Sequence, residues 1–344
     1  MSVPSLKKTV SDKDTEQKLA AQMPDFAAMH ALSKLSPIIV RKAHAIISHL
    51  LIKPGSNIAV IGQKNAPLAF ALSVINPRMR YTAFDLDARH VKQGTEKYRR
   101  SNLRFEKSHI AKSGLSENSY DAVICVDFLH QIYSGATYNK QVVEDTIAEH
   151  MRALKEGGIY ILYDIASPPE DEFVLLELKD DPNKNTQNSD QPEAMSDAER
   201  LIWFSANARP LHPQSARGFY MEELSPRFPG TRLFRLSSKW AYEFILRKDM
   251  KGTWSTHLNR EYTFYTDIEY RRQLRRENAR LLYRAPQWNS RRIKDCFEGR
   301  FKLYDENSHP MGFPPTGYIC VSEKSNPRAA ARIKERRQTG QSQN

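Results

Sequence analysis

Apolar positions along the chain follow two rhythms. Between residues 57 and 164, short unbroken apolar runs alternate with stretches of helical period. Asn57–Ile61 is such a run and closes on Gly62. Ala66–Val74 has helical spacing, and Arg80–Phe84 is a run that ends at Asp85. Ala88–Arg100 then has weak helical spacing, and Leu103–Glu106 is a short strand. Asp121–Phe128 reads as a buried strand with Cys125 at its centre. Lys140–Leu154 carries Val143, Ile147, Met151 and Leu154 on one face, and Ile159–Tyr163 follows the Gly157-Gly158 break. Continuous apolar strands alternating with helices across short connections predict an α/β fold with a mostly parallel sheet covered on both faces.

Outside that region the rhythm changes. Ser36-Pro37 predicts a helix start, with a hydroxyl at the cap and proline where its missing N–H costs nothing. Ile38, Ile39, Ala43, Ile46, Ile47, Leu50 and Leu51 then recur at helical spacing. After Asp164 the alternation stops. Residues 180–198 are polar and are expected to form a mobile loop, and residues 199–262 hold isolated aromatic islands. Rhythm resumes with a Thr-capped helix at Thr266–Glu277 and a strand at Leu281–Tyr283. A hairpin around Phe297–Tyr304 and a last strand at Gly317–Ser322 are expected after it. The expected organisation is an N-terminal extension (1–35), a sheet domain (36–164 and 263–323), an inserted cap (165–262) and a basic tail (324–344).

Composition narrows the class. The chain has 344 residues, room for one enlarged domain or two. Three scattered cysteines supply neither a disulfide framework nor a zinc cluster, so no metal is expected. A membrane span needs about 20 mostly apolar residues, and Pro37–Ile52, the most apolar helical stretch, is interrupted by Arg41, Lys42, His44 and His49. These features favour a cytoplasmic protein that does not engage a membrane.

Charge is uneven. The net charge is +12, yet Arg271–Arg300 holds ten basic and three acidic residues, and Lys324–Asn344 six and one. The remainder is balanced, so a neutral body carries one Arg-rich window and one Arg-rich tail. Arg271, Arg272, Arg275 and Arg276 recur at helical spacing and line one helix face. That face admits two readings, a solvated surface or a site for an anionic partner. No nucleic-acid-binding signature accompanies it.

The order NIAVIGQKNA, YTAFDLD, ENSYDAVICVDFLHQI and LKEGGIYILYD resembles the class I S-adenosylmethionine-dependent methyltransferases over residues 36–164, and the pattern returns over 263–323. The resemblance implies a doubly wound, Rossmann-like sheet with an inserted cap subdomain and S-adenosyl-L-methionine as cofactor. It implies that Gly62 forms the cofactor turn, that Asp85 meets the ribose and that His109 falls on the adenine side, with Gln63, Leu86, Ile110 and Asp127 also binding the cofactor. Asp127 falls where the family's loop faces the methyl group, and His130 just after it has an imidazole whose ordinary pKa suits a general base. The turn departs from the family pattern: Gln63, Lys64, Asn65 and Ala66 stand where further glycines are usual, and Val60 replaces an acid. The expected partner is a small-molecule or phosphorylated acceptor. Two alternatives stand beside this reading, a non-catalytic relative acting as a binding module and a nucleic-acid-binding protein using the basic window and tail.

Overall fold

The computed structural model describes residues 24–62, 64–107, 115–181, 191–212, 217–250, 252 and 254–325. The strands among the described residues are β1 Asn57–Ile61, β2 Arg80–Asp85, β3 Leu103–Lys107, β4 Tyr120–Val126, β5 Leu154–Asp164, β6 Phe173–Lys179, β7 Met221–Leu224, β8 Thr231–Ser237, β9 Ala279–Gln287, β10 Phe301–Asp305 and β11 Gly317–Lys324. The α-helices among the described residues are α1 Pro24–Ser33, α2 Pro37–Ile47, α3 Ala66–Ile75, α4 Ala88–Lys97, α5 Leu129–Gly135, α6 Lys140–Ala153, α7 Asp197–Asn207, α8 Ser238–Arg247, α9 Trp254–Leu258, α10 Asp267–Arg276 and α11 Ser290–Arg292. A π-turn, Ile293–Phe297, extends α11.

Seven strands form the central sheet in the order β3-β2-β1-β4-β5-β11-β9. The first five strands are mutually parallel, and β11 runs antiparallel to both its neighbours, β5 and β9. The alternating faces of β1 and β4 are both buried, which is why their sequences read as unbroken apolar runs. One face packs on α1, α2 and α3 through Leu32, Ile46 and Leu72, and the other on α5, α6 and α10 through Leu129, Ile147 and Tyr270. Chain order reverses between β1 and β4. In a doubly wound sheet this switch point opens a crevice beyond the strands' C-terminal ends.

Local chemistry sets the helix starts. Asp87 and Asn139 cap α4 and α6 by accepting the N–H groups of Arg89 and Gln141. Thr266 caps α10 as the sequence predicts, and Glu269 completes a reciprocal capping box with it. Pro37 does begin α2, but the Ser36 hydroxyl makes no capping bond.

The inserted region builds a second sheet, antiparallel throughout, in the order β10-β6-β8-β7. Its inner face packs on α7, α8 and α9 through Leu176, Phe204, Phe234, Phe244 and Trp254. Two expectations are corrected here. The alternating segment near 301–305 does not stay with the central sheet; it pairs with β6, from Phe301 opposite Leu178 to Asp305 opposite Val174. The polar stretch 180–198 is not one loop. Pro192–Ala194 forms a helical turn, and Ser196 caps α7 by accepting the Glu199 N–H. Arg200 ties this stretch down by donating to the carbonyls of Pro192 (2.6 Å) and Met195 (2.8 Å). Residues 182–190 and the tail beyond Ser325 lie outside the described residues.

Candidate active site

Gly62 ends β1 against β4. A Cβ there would stand 2.7 Å from the Val126 carbonyl oxygen, so only glycine allows the two strand ends to approach this closely. Asn65 closes the turn by donating its amide to the carbonyls of Val60 (2.9 Å) and Phe84 (3.2 Å), which clamps the ends of β1 and β2 together. Lys64 adopts a left-handed conformation, φ 56°, and its N–H donates to Asp85 Oδ2 at 2.7 Å.

Asp85 is buried at the end of β2. Its Oδ1 accepts the Asp87 N–H at 2.9 Å and stands 3.2 Å from His90 Nδ1. Three of about four acceptor positions on the carboxylate are thereby used within the chain. Leu86 beside it is 39% exposed, an apolar side chain presented to solvent at the rim. Gln63, His109 and Ile110 lie outside the described residues.

Across the switch point, Asp127 follows the last residue of β4. This residue takes a left-handed φ of 47° while its N–H donates to the Tyr163 carbonyl at 2.8 Å. That turn points the Asp127 carboxylate outward, with the side chain 52% exposed, where Lys42 of α2 reaches it in an ion pair. Lys42 also stands 4.4 Å above the Tyr163 ring. Burial works against the Lys42 charge, but Asp127, Tyr163 and Asp164 outweigh it and raise its pKa. The neighbouring Arg41 donates to Ser290 Oγ at 3.1 Å and Asn289 Oδ1 at 3.4 Å. Helix α2 is therefore tied both to the end of β4 and to the start of α11.

His130, in the first turn of α5, is buried and donates Nδ1 to Asp164 Oδ1 at 2.7 Å. Asp164 ends β5 and also accepts the backbone N–H groups of Ile165 (3.0 Å) and His130 (3.3 Å). With Nδ1 committed to a buried carboxylate, the imidazole is fixed in orientation and its second nitrogen, Nε2, is left for other chemistry. The Tyr262 ring lies 4.9 Å from that imidazole. Tyr262 is in turn hydrogen-bonded to His257, whose pKa is pushed down to about 4 by burial and by the charges of Arg260 and Arg247. Asp127 and His130 thus sit at one strand end, with Asp164 and Lys42 joining them. Asp164 was visible in the sequence only as an acid closing an apolar strand, and Lys42 only as a charge interrupting an apolar helix.

The arginines at helical spacing do not gather at this crevice. Arg271 pairs with Asp267 at 3.1 Å and Arg276 with Glu144 at 3.4 Å, while Arg272 and Arg275 face solvent.

A sheet in this order, with an acid closing β2 beside the switch point, defines a nucleotide-type α/β fold. Residues 62–162, just under a third of the chain, match the family model described as a methyltransferase domain. The matched segment covers the centre of the first sheet and none of the second. A comparison with curated proteins finds no match. Among solved structures, the chain is similar to a Haloferax volcanii methyltransferase solved with the Trm112 methyltransferase activator, at 11% identity and TM-score 0.43, covering 91% of this chain and 95% of that one. It is also similar to an S-adenosylmethionine-dependent methyltransferase from Methanosarcina mazei, at 11% identity and TM-score 0.41, covering 85% and 98%. A Mesorhizobium loti enzyme of the same description gives 11% identity and TM-score 0.43, covering 81% and 96%. At such scores the likeness is loose and bears on neither substrate nor partners. No described helix is long and apolar enough to cross a membrane.

Proposed function

We propose that the chain transfers a methyl group from S-adenosylmethionine to an acceptor bound over the ends of β4 and β5, with His130 as general base. The carrying observation is the buried His130–Asp164 pair at the switch-point side of the sheet. Asp164 holds Nδ1, so Nε2 is the atom that takes the proton from the acceptor's O–H or N–H as that atom accepts the methyl group. The cofactor supplies an already activated methyl group. What the protein adds is alignment of the reacting atoms and exclusion of water.

The residues fit that cofactor, in a tight cradle. Asp85 keeps about one free acceptor position, enough for one ribose hydroxyl while the Lys64 turn stays in place. Leu86 offers apolar surface beside it. Gly62, Gln63, His109 and Ile110 complete the cofactor side in this reading. Asp127 lines the methyl end and is held by Lys42, so it acts by position and charge rather than as a base. The three cysteines are free, in keeping with a cytoplasmic protein.

The test is calorimetric titration with S-adenosylmethionine and S-adenosylhomocysteine, on the native chain and on Asp85→Ala. One observation favours the alternative of a non-catalytic binding module: Asp85 already receives three contacts from its own chain. Absence of cofactor binding by a folded protein would select that alternative.

A further inference from the structure

Arg292 has no acidic ion-pair partner among the described residues. Arg292 ends α11, where its backbone N–H meets Asn289 Oδ1 at 3.3 Å. Its Nη2 donates to the Leu246 carbonyl, and the guanidinium lies 6.0 Å from the Phe297 ring centre. Among the described residues no carboxylate forms an ion pair with it. The two acids in its field, Asp127 and Asp249, are both engaged elsewhere, Asp127 by Lys42 and Asp249 by Lys248 at 2.9 Å.

The other arginines of the same window differ. Arg271, Arg276, Arg284 and Arg291 each have an acidic partner, and Arg272 and Arg275 stand in open solvent. Arg292 is crowded by protein, which disfavours its charge and lowers its pKa, yet it keeps partial access to solvent. The guanidinium is therefore partly desolvated while still within reach of a solute. Holding a guanidinium there without a carboxylate costs free energy that an incoming anion would offset.

Two links relate it to the neighbourhood of the candidate base, one electrostatic and one through Arg41. The Arg292 charge acts on Tyr262, whose ring is 4.9 Å from His130, and on Asp127 at the end of β4. Arg41 binds the two residues that open α11, so α2, the β4 end and α11 share one neighbourhood.

We propose that Arg292 is the specificity residue for the acceptor and binds an oxyanion on it, a carboxylate or a phosphate. This rests on the methyltransferase reading, because it names the substrate class for that site. The Leu246 carbonyl and the Phe297 ring hold the guanidinium in place. Its Nε and Nη1 hydrogens remain for a two-point contact with the anion.

The probes are inorganic phosphate and acetate, titrated at low ionic strength into the isotope-labelled protein and followed by NMR, with chloride as control. Shifts should centre on residues 289–296. Arg292→Met should weaken phosphate binding roughly tenfold or more, since a charge-assisted contact is lost, whereas Arg292→Lys should retain most of it and Arg272→Met all of it. The stronger of the two probes identifies the oxyanion. Saturating S-adenosylhomocysteine should leave phosphate binding in place, because acceptor and cofactor must be bound together. Shifts spread over the surface, equal losses in Arg272→Met, or displacement of phosphate by S-adenosylhomocysteine would each overturn the proposal. The wild-type shift map decides the matter even if Arg292→Met does not fold. Failure of S-adenosylhomocysteine itself to bind would instead count against the methyltransferase reading, independently of the phosphate result.

Discussion

His130 Nδ1 stands 2.7 Å from Asp164 Oδ1, and both side chains are buried, His130 in the first turn of α5 after β4 and Asp164 at the end of the adjacent parallel strand β5. Asp164 also accepts the backbone N–H groups of His130 and Ile165, so one carboxylate orients the imidazole and fastens the turn that follows β5. Asp164→Ala is expected to lower stability by about 2–4 kcal/mol, because it leaves buried donors unsatisfied. Urea unfolding of the two proteins measures it. A loss under about 0.5 kcal/mol would mean that the pair does not hold the site together.

His130→Ala separates binding from chemistry. Cofactor affinity should stay within about twofold if His130 serves the acceptor as proposed. Methyl transfer should fall by roughly 100- to 10,000-fold, the range for loss of a general base. Single-turnover transfer of labelled methyl, once an acceptor is found, reads the second effect. Calorimetry reads the first without an acceptor.

Gly62→Ala tests the packing of β1 on β4. The added Cβ would meet a backbone oxygen at 2.7 Å, and a strand cannot yield as a flexible side chain can. The expected cost is about 1–3 kcal/mol, seen as a lower thermal midpoint even without cofactor. An unchanged midpoint would show that the two strand ends are farther apart than described.

The pH dependence of stability has a defined sign. His150 is fully buried, its Nδ1 lies 3.2 Å from the Tyr160 hydroxyl, and its Nε2 has no partner among the described residues. Burial pushes its pKa down to about 3 from the usual 6.5. Between those values the unfolded chain binds a proton that the folded chain does not. Stability is therefore complete above about pH 6.5 and is lost as pH falls, by up to about 1.4 kcal/mol per unit from this group. His257, pushed down to about 4, adds to the trend in the same direction. Unfolding curves at pH 7, 6 and 5 should show the fall, and His150→Leu should flatten it.

Much of the central sheet was legible because its strands are buried on both faces. The runs in β1, β4 and β5 are apolar without interruption, and no other element could hold them. Gly62 and Asp85 were legible for the same reason, as breaks at the ends of such runs. The second sheet was not. The alternation at 301–305 carries the correct period but does not name its partner, and that partner, β6, lies more than a hundred residues earlier. Ser196 was hidden inside a polar stretch, where its capping of α7 depends on the three residues after it. Lys42 looked like a solvated position on an amphipathic helix, because its partner Asp127 is 85 residues away. Arg292 was one of ten basic residues in its window. Only the fold separates it from those that pair locally or face water.

The central claim is that the crevice between β1 and β4 binds the methyl donor. Titration of S-adenosylhomocysteine into the protein, followed by heat, tests it without knowledge of the acceptor. A micromolar dissociation constant is predicted, roughly −7 to −8 kcal/mol, weakened by about 1–3 kcal/mol in Asp85→Ala as a charge-assisted hydrogen bond is lost. A folded protein that gives neither heat nor a thermal shift at millimolar S-adenosylhomocysteine would contradict the account.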